Sequence, residues 1–250
     1  MFDENNSIIC LKEKFLSIKN KGWIKSSFNG WGDCGLTFEK ELGLFKNELE
    51  IPDFMGIEIK TKNAFKRPYL SLFSSNFDGK YLFNIDDFVT KYGWPDEKIK
   101  TSNVFYLIAN AKTFIETPSE FKFKLKVNYN LQQVFLEISG KSNYNITSLY
   151  SWSFDILKEK IDRKLKYMAF VEAKRKLENR NIYFWYDRLS LYCCKNFDTF
   201  LSLIENNIIT VRFNIGLYTD EKRYGKIHNH GISFQILVKN LNLLFDSMSF

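Results

Sequence analysis

The strongest constraint on the fold is a short run of alternating residues, IEIK, at positions 57–60. Alternation with a period of two is typical of a half-buried strand. We therefore expect both isoleucines to face the core, while Glu58 and Lys60 share the opposite face. Gly56 precedes the run and permits a tight bend, which can bring Asp53 beside Glu58. The segment predicts that two carboxylates and an amine converge at one end of a strand.

Such a cluster suits the hydrolysis of a phosphodiester. Hard oxygen ligands from Asp53 and Glu58 favour Mg²⁺, which keeps several waters and can also take a phosphate oxygen. A metal ion there stabilises the charge that develops at phosphorus and makes a bound water easier to deprotonate. Lys60 can orient this water or take part in proton transfer. The alternative is a surface salt bridge on a polar strand face, since short motifs have a high false-positive rate.

The residues around this cluster carry a longer pattern. Thr37 is the expected N-cap of a short helix that Gly43 ends, so Glu39 is expected in its first turn. GLTFE at positions 35–39 is followed by Leu42-Gly43, and then by PDFMGIEIKTK at positions 52–62. This ordered set resembles the signature of MvaI/BcnI-type restriction endonucleases, the relatives of MutH among the PD-(D/E)XK nucleases. The close match covers about 28 contiguous residues, from Gly35 to Lys62. The context favours the catalytic interpretation.

The resemblance implies a role for each residue of the cluster. In the family, positions matching Asp53 and Glu58 bind the metal, together with a backbone carbonyl at the position of Ile59. The position of Lys60 acts on the nucleophilic water, and that of Glu39 supports the cluster. The metal implied is Mg²⁺, with Mn²⁺ as a substitute.

The same resemblance implies the fold class and the partners. We expect an α/β (α+β) protein with a PD-(D/E)XK core, in which helices flank a mixed sheet, and a second DNA-recognition lobe that forms a cleft with it. The order of predicted elements places the catalytic lobe at residues 1–115 and the recognition lobe mainly at 116–250. The expected partner is double-stranded DNA, bound by a monomer, and a cognate DNA methyltransferase is expected in the same system.

Composition is compatible with this expectation. The chain has 250 residues, of which 45% are hydrophobic, so it can bury a sizeable core. Its 36 Lys and Arg against 29 Asp and Glu give a net charge of +7, which suits a polyanionic partner. The four cysteines form no C-x-x-C pair and are expected to be reduced. No signal peptide or membrane span is found, and we expect a cytoplasmic protein.

Further patterns predict secondary structure, and short helices are expected around 85–92 and 197–205. Leu11, Phe15 and Ile18 have helical spacing, which predicts a first helix over 8–18. The alternating run 69–73 is expected to pair with 57–62. Apolar residues at helical spacing also predict one long helix over 155–177, namely Leu157, Ile161, Leu165 and Met168.

Several cations are candidates for contacts with the DNA backbone. Lys62 and Arg67 flank the connection after the motif strand, where an ordinary solvated loop is the alternative. Lys122, Lys124 and Lys126 alternate with apolar residues and therefore share one strand face of a predicted hairpin. That face can lie along DNA, or it can protect an exposed sheet edge.

The segment 220–231 is the candidate for reading bases. It is predicted as a loop before a strand, and a histidine-glycine loop in this place belongs to the DNA-reading lobe of the family. Arg can pair with guanine, Asn with adenine, and His can donate to a purine. We therefore assign Arg223, His228, Asn229 and His230 to bases, and Lys226 to the backbone. A His-x-His metal site is the alternative, but it lacks a third ligand nearby in the sequence.

The predicted function is Mg²⁺-dependent, sequence-specific cleavage of double-stranded DNA by a type II restriction enzyme. A MutH-like repair nuclease that nicks one strand shares the same residues and is the nearest alternative. A DNA-binding protein whose acidic cluster is structural is an alternative of another class. The absence of a P-loop argues against a nucleotide-driven motor.

Overall fold

The computed structural model describes residues 4–28, 30, 32–44, 52–63, 68–79, 83–142 and 145–248. These residues form a mixed α+β structure of two compact units. The first unit comprises Met1–Pro68, Lys160–Lys195 and Asn242–Phe250, and the second comprises Tyr69–Glu159 and Asn196–Leu241. Each unit is assembled from separate stretches of the chain, so their bounds differ from the predicted division at residue 115.

The α-helices of the described residues are α1 (Glu4–Asn20), α2 (Asp33–Glu41), α3 (Ile85–Tyr92), α4 (Phe154–Lys160), α5 (Phe197–Glu205) and α6 (Leu241–Leu244). A π-helix (Ile161–Leu165) follows α4, and a 3₁₀-helix (Val238–Asn240) precedes α6. The strands are β1 (Ile24–Lys25), β2 (Glu58–Asn63), β3 (Tyr69–Ser74), β4 (Trp94–Pro95), β5 (Asn103–Ala109), β6 (Ile115–Glu116), β7 (Phe121–Asn128), β8 (Gln133–Gly140), β9 (Ile146–Ser153), β10 (Tyr167–Glu178), β11 (Asn181–Cys194), β12 (Ile209–Leu217), β13 (Ile227–Leu237) and β14 (Phe245–Ser247).

The sheet of the first unit has the order β1-β11-β10-β2, and β14 also pairs with β11. The motif strand β2 runs parallel to β10, with Glu58 opposite Met168. The predicted pairing of 57–62 with 69–73 is wrong, because β3 pairs with β13 instead. The partner of β2 comes from more than a hundred residues further along the chain, as a parallel pair requires a crossover connection.

Two helices cover one face of this sheet. Phe15 of α1 and Phe38 of α2 pack in a single core with Ile57 and Ile59, and all four side chains are at least 95% buried. Burial of each such side chain contributes roughly 1.5–3 kcal/mol. The predicted first helix is confirmed, and so is the inward orientation of the two isoleucines. Tyr186 of β11 joins α2 to the sheet by donating its hydroxyl hydrogen to the Cys34 carbonyl, at 2.8 Å.

The long helix predicted over 155–177 is wrong in its second half. Helical structure ends at Leu165, and β10 begins at Tyr167. Residues 168–171 are all at least 97% buried, which is typical of a central strand that is covered on both faces. Helical spacing of the apolar residues therefore holds only up to the π-helix.

The second unit contains the sheets β3-β13-β12-β5-β4 and β6-β7-β8-β9. Its core is aromatic: the Phe88 ring lies 4.9 Å from that of Phe105, which in turn lies 5.1 Å from Phe123. The helices predicted around 85–92 and 197–205 are confirmed as α3 and α5. All four cysteines are free, as expected. Among the described residues, no helix is long and apolar enough to cross a membrane.

Candidate active site

A tight turn at residues 54–57 places the first carboxylate. The two ends of the turn exchange backbone hydrogen bonds of 3.0 and 2.8 Å. Gly56 has a φ of 80°, in the left-handed region where glycine is favoured. The Oδ2 atom of Asp53 then accepts a hydrogen bond of 2.9 Å from the backbone N–H of Ile59. The bend predicted at Gly56 is present, and it holds Asp53 against the start of β2.

Glu58 and Lys60 share one face of β2, as the alternation predicts. Lys60 Nζ donates to Glu58 Oε1 at 2.7 Å. Glu58 is only 4% exposed, so this pair is not a solvated surface salt bridge. The second carboxylate oxygen, Oε2, is buried and has no hydrogen-bond partner among the described residues. A buried carboxylate oxygen that lacks a donor is costly, and a cation is the group that would satisfy it.

Glu39 joins the cluster from α2. The predicted N-cap at Thr37 is wrong, because the helix begins at Asp33 and Thr37 lies fully buried inside it. Instead, Thr37 Oγ1 accepts from the backbone N–H of Ser27 at 3.3 Å and so fastens the preceding loop. Glu39 consequently occupies the last turn of α2, not the first.

The electrostatics of the cluster favour a bound cation. Burial raises the pKa of the Glu39 carboxyl, and the negative charge of Asp53 raises it further. Burial likewise raises the pKa of Glu58, against the opposing effect of the Lys60 ammonium. No three His, Cys, Asp or Glu side chains converge on a metal-binding point within the described part of the chain. Mg²⁺ needs only one or two carboxylates besides water and substrate oxygens, so the residues present fit this ion.

Two further lysines lie near the cluster. Lys62 follows on the same strand face as Glu58 and is half-buried, and burial lowers the pKa of its ammonium group. Lys164, from the π-helix, is close enough to lower the pKa of Glu58. Sequence reasoning does not place Lys164 beside the cluster, because its proximity to Glu58 depends on the pairing of β2 with β10. Arg67 lies outside the described residues.

The lysines of the predicted basic hairpin do share one face of β7, but they are partly neutralised. Lys124 and Lys126 lie 3.1 and 3.4 Å from the carboxylate oxygens of the buried Glu137. Lys122 and Lys124 also lie over the ring of Phe114, at 5.6 and 4.8 Å from its centroid. The positive charge of this face is therefore smaller than the sequence suggests.

The segment predicted as a base-reading loop is only partly a loop. The strand β13 begins at Ile227, so that His228, Asn229 and His230 lie on it, in the part of the sheet that pairs with β12. Pairing with β12 overrides the turn-like composition of the segment. Arg223 and Lys226 remain in the connection before the strand.

Four planar groups lie one after another in a column at this place, and the last of them, His230, is tilted by 43° from His228. The Arg223 guanidinium lies 3.7 Å from the centroid of the Tyr218 ring, and Tyr218 stacks on His228 at 4.0 Å and 11°. His228 in turn lies 3.8 Å from His230. Asp220 holds the guanidinium from the side at 2.9 Å. Tyr218 was not predicted, since nothing in the sequence places it between an arginine and a histidine.

The surroundings of the column favour the neutral form of one imidazole. Partial desolvation lowers the pKa of His230, and the nearby His228 and Arg212 lower it further. The column therefore presents fixed hydrogen-bonding edges and one permanent cation, Arg223. Such groups can contact a base edge, and their stacking restricts their orientation.

Comparison with known proteins connects these observations to a family. The sequence model of the MvaI/BcnI restriction endonuclease family matches residues 12–245. The search of curated proteins finds no match. A solved structure described as a restriction endonuclease MvaI-cognate DNA substrate complex is 29% identical, with 99% of each chain covered and a TM-score of 0.89. The structure of restriction endonuclease MvaI in the absence of DNA is 28% identical, with the same coverage and a TM-score of 0.58.

The predicted family and the predicted mixed α+β fold are both confirmed by these matches. The match extends well beyond the 28 residues that carry the resemblance in the sequence. The chain therefore belongs to the MvaI/BcnI restriction endonuclease family and is a sequence-specific type II restriction endonuclease.

Proposed function

We propose that the enzyme hydrolyses a phosphodiester in both strands of double-stranded DNA, with Mg²⁺ or its substitute Mn²⁺ bound at Asp53 and Glu58. One observation carries the proposal: the Glu58 carboxylate is buried, accepts a hydrogen bond from Lys60 on one oxygen and, within the described part of the chain, has no partner on the other. An unsatisfied buried carboxylate costs stability and is retained where function needs it. The proposed metal site is therefore at the Glu58 carboxylate of the first unit.

Each residue of the cluster has a distinct role in this proposal. Asp53 and Glu58 hold the metal ion together with the backbone carbonyl of Ile59. The bound ion supplies stabilisation of negative charge at phosphorus and a more acidic water. The hydrogen bond from the Ile59 amide keeps Asp53 oriented, and Lys60 orients the attacking water. Glu39 adds a third carboxylate that supports the others.

Double-stranded DNA is the proposed substrate because a relative with 29% identity is described in complex with its cognate DNA. We assign recognition of the bases to three residues of the column on the second unit, namely Arg223, His228 and His230, and to Asn229 beside them. We assign contacts with the DNA backbone to cations on both units, namely Lys62, Arg67, Lys122, Lys124, Lys126 and Lys226. The net charge of +7 supports a polyanionic partner.

We further propose that the enzyme acts as a monomer in the cytoplasm, together with a methyltransferase that protects the host's own sites. A monomer with one carboxylate cluster must bind the site in two opposite orientations to cut both strands. Mass measurement of the complex with a short cognate duplex tests the monomer. Two protein chains in each complex would contradict it.

The test of the cleavage chemistry is incubation of supercoiled plasmid with the enzyme and Mg²⁺. We expect linear DNA and then discrete fragments. Asp53→Ala, Glu58→Ala and Lys60→Ala should each lower the rate at least ~10²-fold, the scale for a positioned catalytic group, while DNA binding in Ca²⁺ survives. Glu39→Ala should lower it less, because its role is support.

Two outcomes would contradict this proposal. Accumulation of open-circular plasmid without linear product would favour a nicking enzyme of the MutH kind. Cleavage by Lys60→Ala at the parental rate would remove Lys60 from the chemistry.

A further inference from the structure

The π-helix that precedes β10 brings a second amine towards the catalytic cluster. It spans Ile161–Leu165, and its two end residues are at least 98% buried. Those two side chains fix the turn against the core. π-helical turns are rare and occur frequently at functional sites, because the extra residue in the turn redirects the side chains next to it.

Of the charged residues in this turn, Lys164 is the one that is half-buried. Asp162, Arg163 and Lys166 around it are exposed, whereas Lys164 is half-buried. The following strand β10 runs parallel to β2, with Met168 opposite Glu58. The chain therefore enters β10 at the same end of the sheet at which β2 begins. This is also the end that carries Asp53 and Glu58.

Lys164 differs from the neighbouring cations in its partners. Lys166 lies over the ring of Tyr167, 5.4 Å from its centroid, and Arg163 is also engaged. The positive charge of Lys164 acts on the Glu58 carboxyl, whose pKa it lowers. Glu58 has Lys60 as its hydrogen-bonded partner. The Lys164 ammonium group thus lies near the cluster, while Lys60 is the cation that is hydrogen-bonded to Glu58.

The charges of the cluster explain what such an amine can do. Three carboxylates, from Glu39, Asp53 and Glu58, act on one another here, with Lys60 as the hydrogen-bonded cation. Their excess negative charge repels a phosphodiester from this end of the strand. An ammonium group that is partly desolvated and not ion-paired is well suited to a phosphate oxygen, since charge-assisted hydrogen bonds are the strong ones.

We propose that Lys164 binds a backbone phosphate of the DNA strand that enters the catalytic cluster, and so positions the strand for cleavage. The inference rests on the proposed function, and it adds a substrate-binding residue from outside the motif segment. Lys164 acts as a positioning residue: it holds the strand while the motif residues carry out the chemistry.

The test compares Lys164→Ala with Lys166→Ala, which removes the same charge two residues away. The probe is a short duplex that carries the target found by sequencing the ends of wild-type digests. For Lys164→Ala, we expect kcat/KM to fall roughly 10- to 100-fold, the scale of one hydrogen bond to a charged group. In Ca²⁺, the slope of the logarithm of the DNA-binding constant against the logarithm of the salt concentration should flatten by about 0.9, the value for one phosphate contact. Lys164→Arg should restore most of both losses, and Lys166→Ala should cause neither.

A fold defect is separated from loss of a contact by a second variant. Lys164→Met keeps the aliphatic length of the side chain and should show the same losses with an unchanged midpoint of thermal unfolding. Equal salt slopes for Lys164→Ala and Lys166→Ala would overturn the inference. A change confined to the Mg²⁺ concentration for half-maximal cleavage would also overturn it, since Lys164 would then act only through Glu58.

The outcome also distinguishes this inference from the proposed function. If wild-type protein cleaves no DNA in Mg²⁺ or Mn²⁺, the proposed function fails. If wild-type protein cleaves while Lys164→Ala and Lys166→Ala behave alike, only the role of Lys164 fails.

Discussion

At the scale of single residues, Glu58 combines burial with negative charge, and this combination destabilises the folded chain at neutral pH. Burial raises the pKa of its carboxyl above the ordinary value of 4.5. As the pH rises from that ordinary value to the raised one, the unfolded chain releases the proton while the folded chain retains it. The free energy of unfolding therefore falls over this interval. Above it, the full loss of stability is present.

Glu58→Gln should therefore stabilise the metal-free enzyme. We expect the midpoint of thermal unfolding at about pH 7.5 to rise by about 2–4 °C, the shift that ~1 kcal/mol gives in a chain of this length. The gain should shrink towards about pH 4, where Glu58 is protonated in both states. Added Mg²⁺ should raise the midpoint of the wild type and leave that of Glu58→Gln unchanged, because a ligand stabilises only the state that binds it.

A lower midpoint for Glu58→Gln at neutral pH would mean that the pair with Lys60 outweighs the cost of burial. An equal response of both proteins to Mg²⁺ would place the metal elsewhere. Lys91→Gln is a suitable control, since it alters an exposed charge on the second unit.

Residue patterns predict the motif strand, but they do not predict which side chains from other strands and turns lie next to a site. The alternation at 57–60 specifies which side chains share a face, and Gly56 specifies the bend. Lys164 comes near Glu58 through the pairing of β10 with β2, and Tyr218 stacks on His228 through the pairing of β12 with β13. Their roles appear only once the strand pairing is known.

At the scale of elements, the column on β12, β13 and their connection depends on one ring. Tyr218→Ala removes the surface that both Arg223 and His228 stack on. We expect discrimination between the cognate site and single-base variants to fall about tenfold, from ~0.5–1 kcal/mol for the cation–π contact and ~0.5–1.5 kcal/mol for ring stacking. Tyr218→Phe keeps the ring and should preserve discrimination. Binding in Ca²⁺ measures both.

Tyr224→Ala is the matched control, because Tyr224 lies in the same connection and is 62% exposed. If Tyr218→Ala and Tyr224→Ala weaken cognate and variant binding by the same factor, the column positions DNA and does not read its sequence.

Elements with strong local signals were predictable, and their pairing was not. The helices α1, α3 and α5 and the β7-β8 hairpin follow from spacing and turn residues close in the chain. The strand β10 was predicted as helix, because Leu157, Ile161 and Leu165 have helical spacing and the pattern continues by coincidence to Met168. A run of buried residues on a central strand carries no alternation that would distinguish it.

At the scale of the whole molecule, the first unit carries the carboxylate cluster and the second carries the stacked column. Each unit is assembled from separate stretches of the chain, so the order of motifs in the sequence does not give the division into units. We therefore assign cleavage to the first unit and sequence reading to the second.

The most direct test of this account is to sequence the DNA ends that the enzyme produces from a large genomic substrate in Mg²⁺. We predict that all ends share one short sequence, cut at a fixed position in both strands. The ends should disappear with Asp53→Ala, although this variant still binds the same sites in Ca²⁺. Ends without a common sequence, or cleavage by Asp53→Ala at the wild-type rate, would contradict the account.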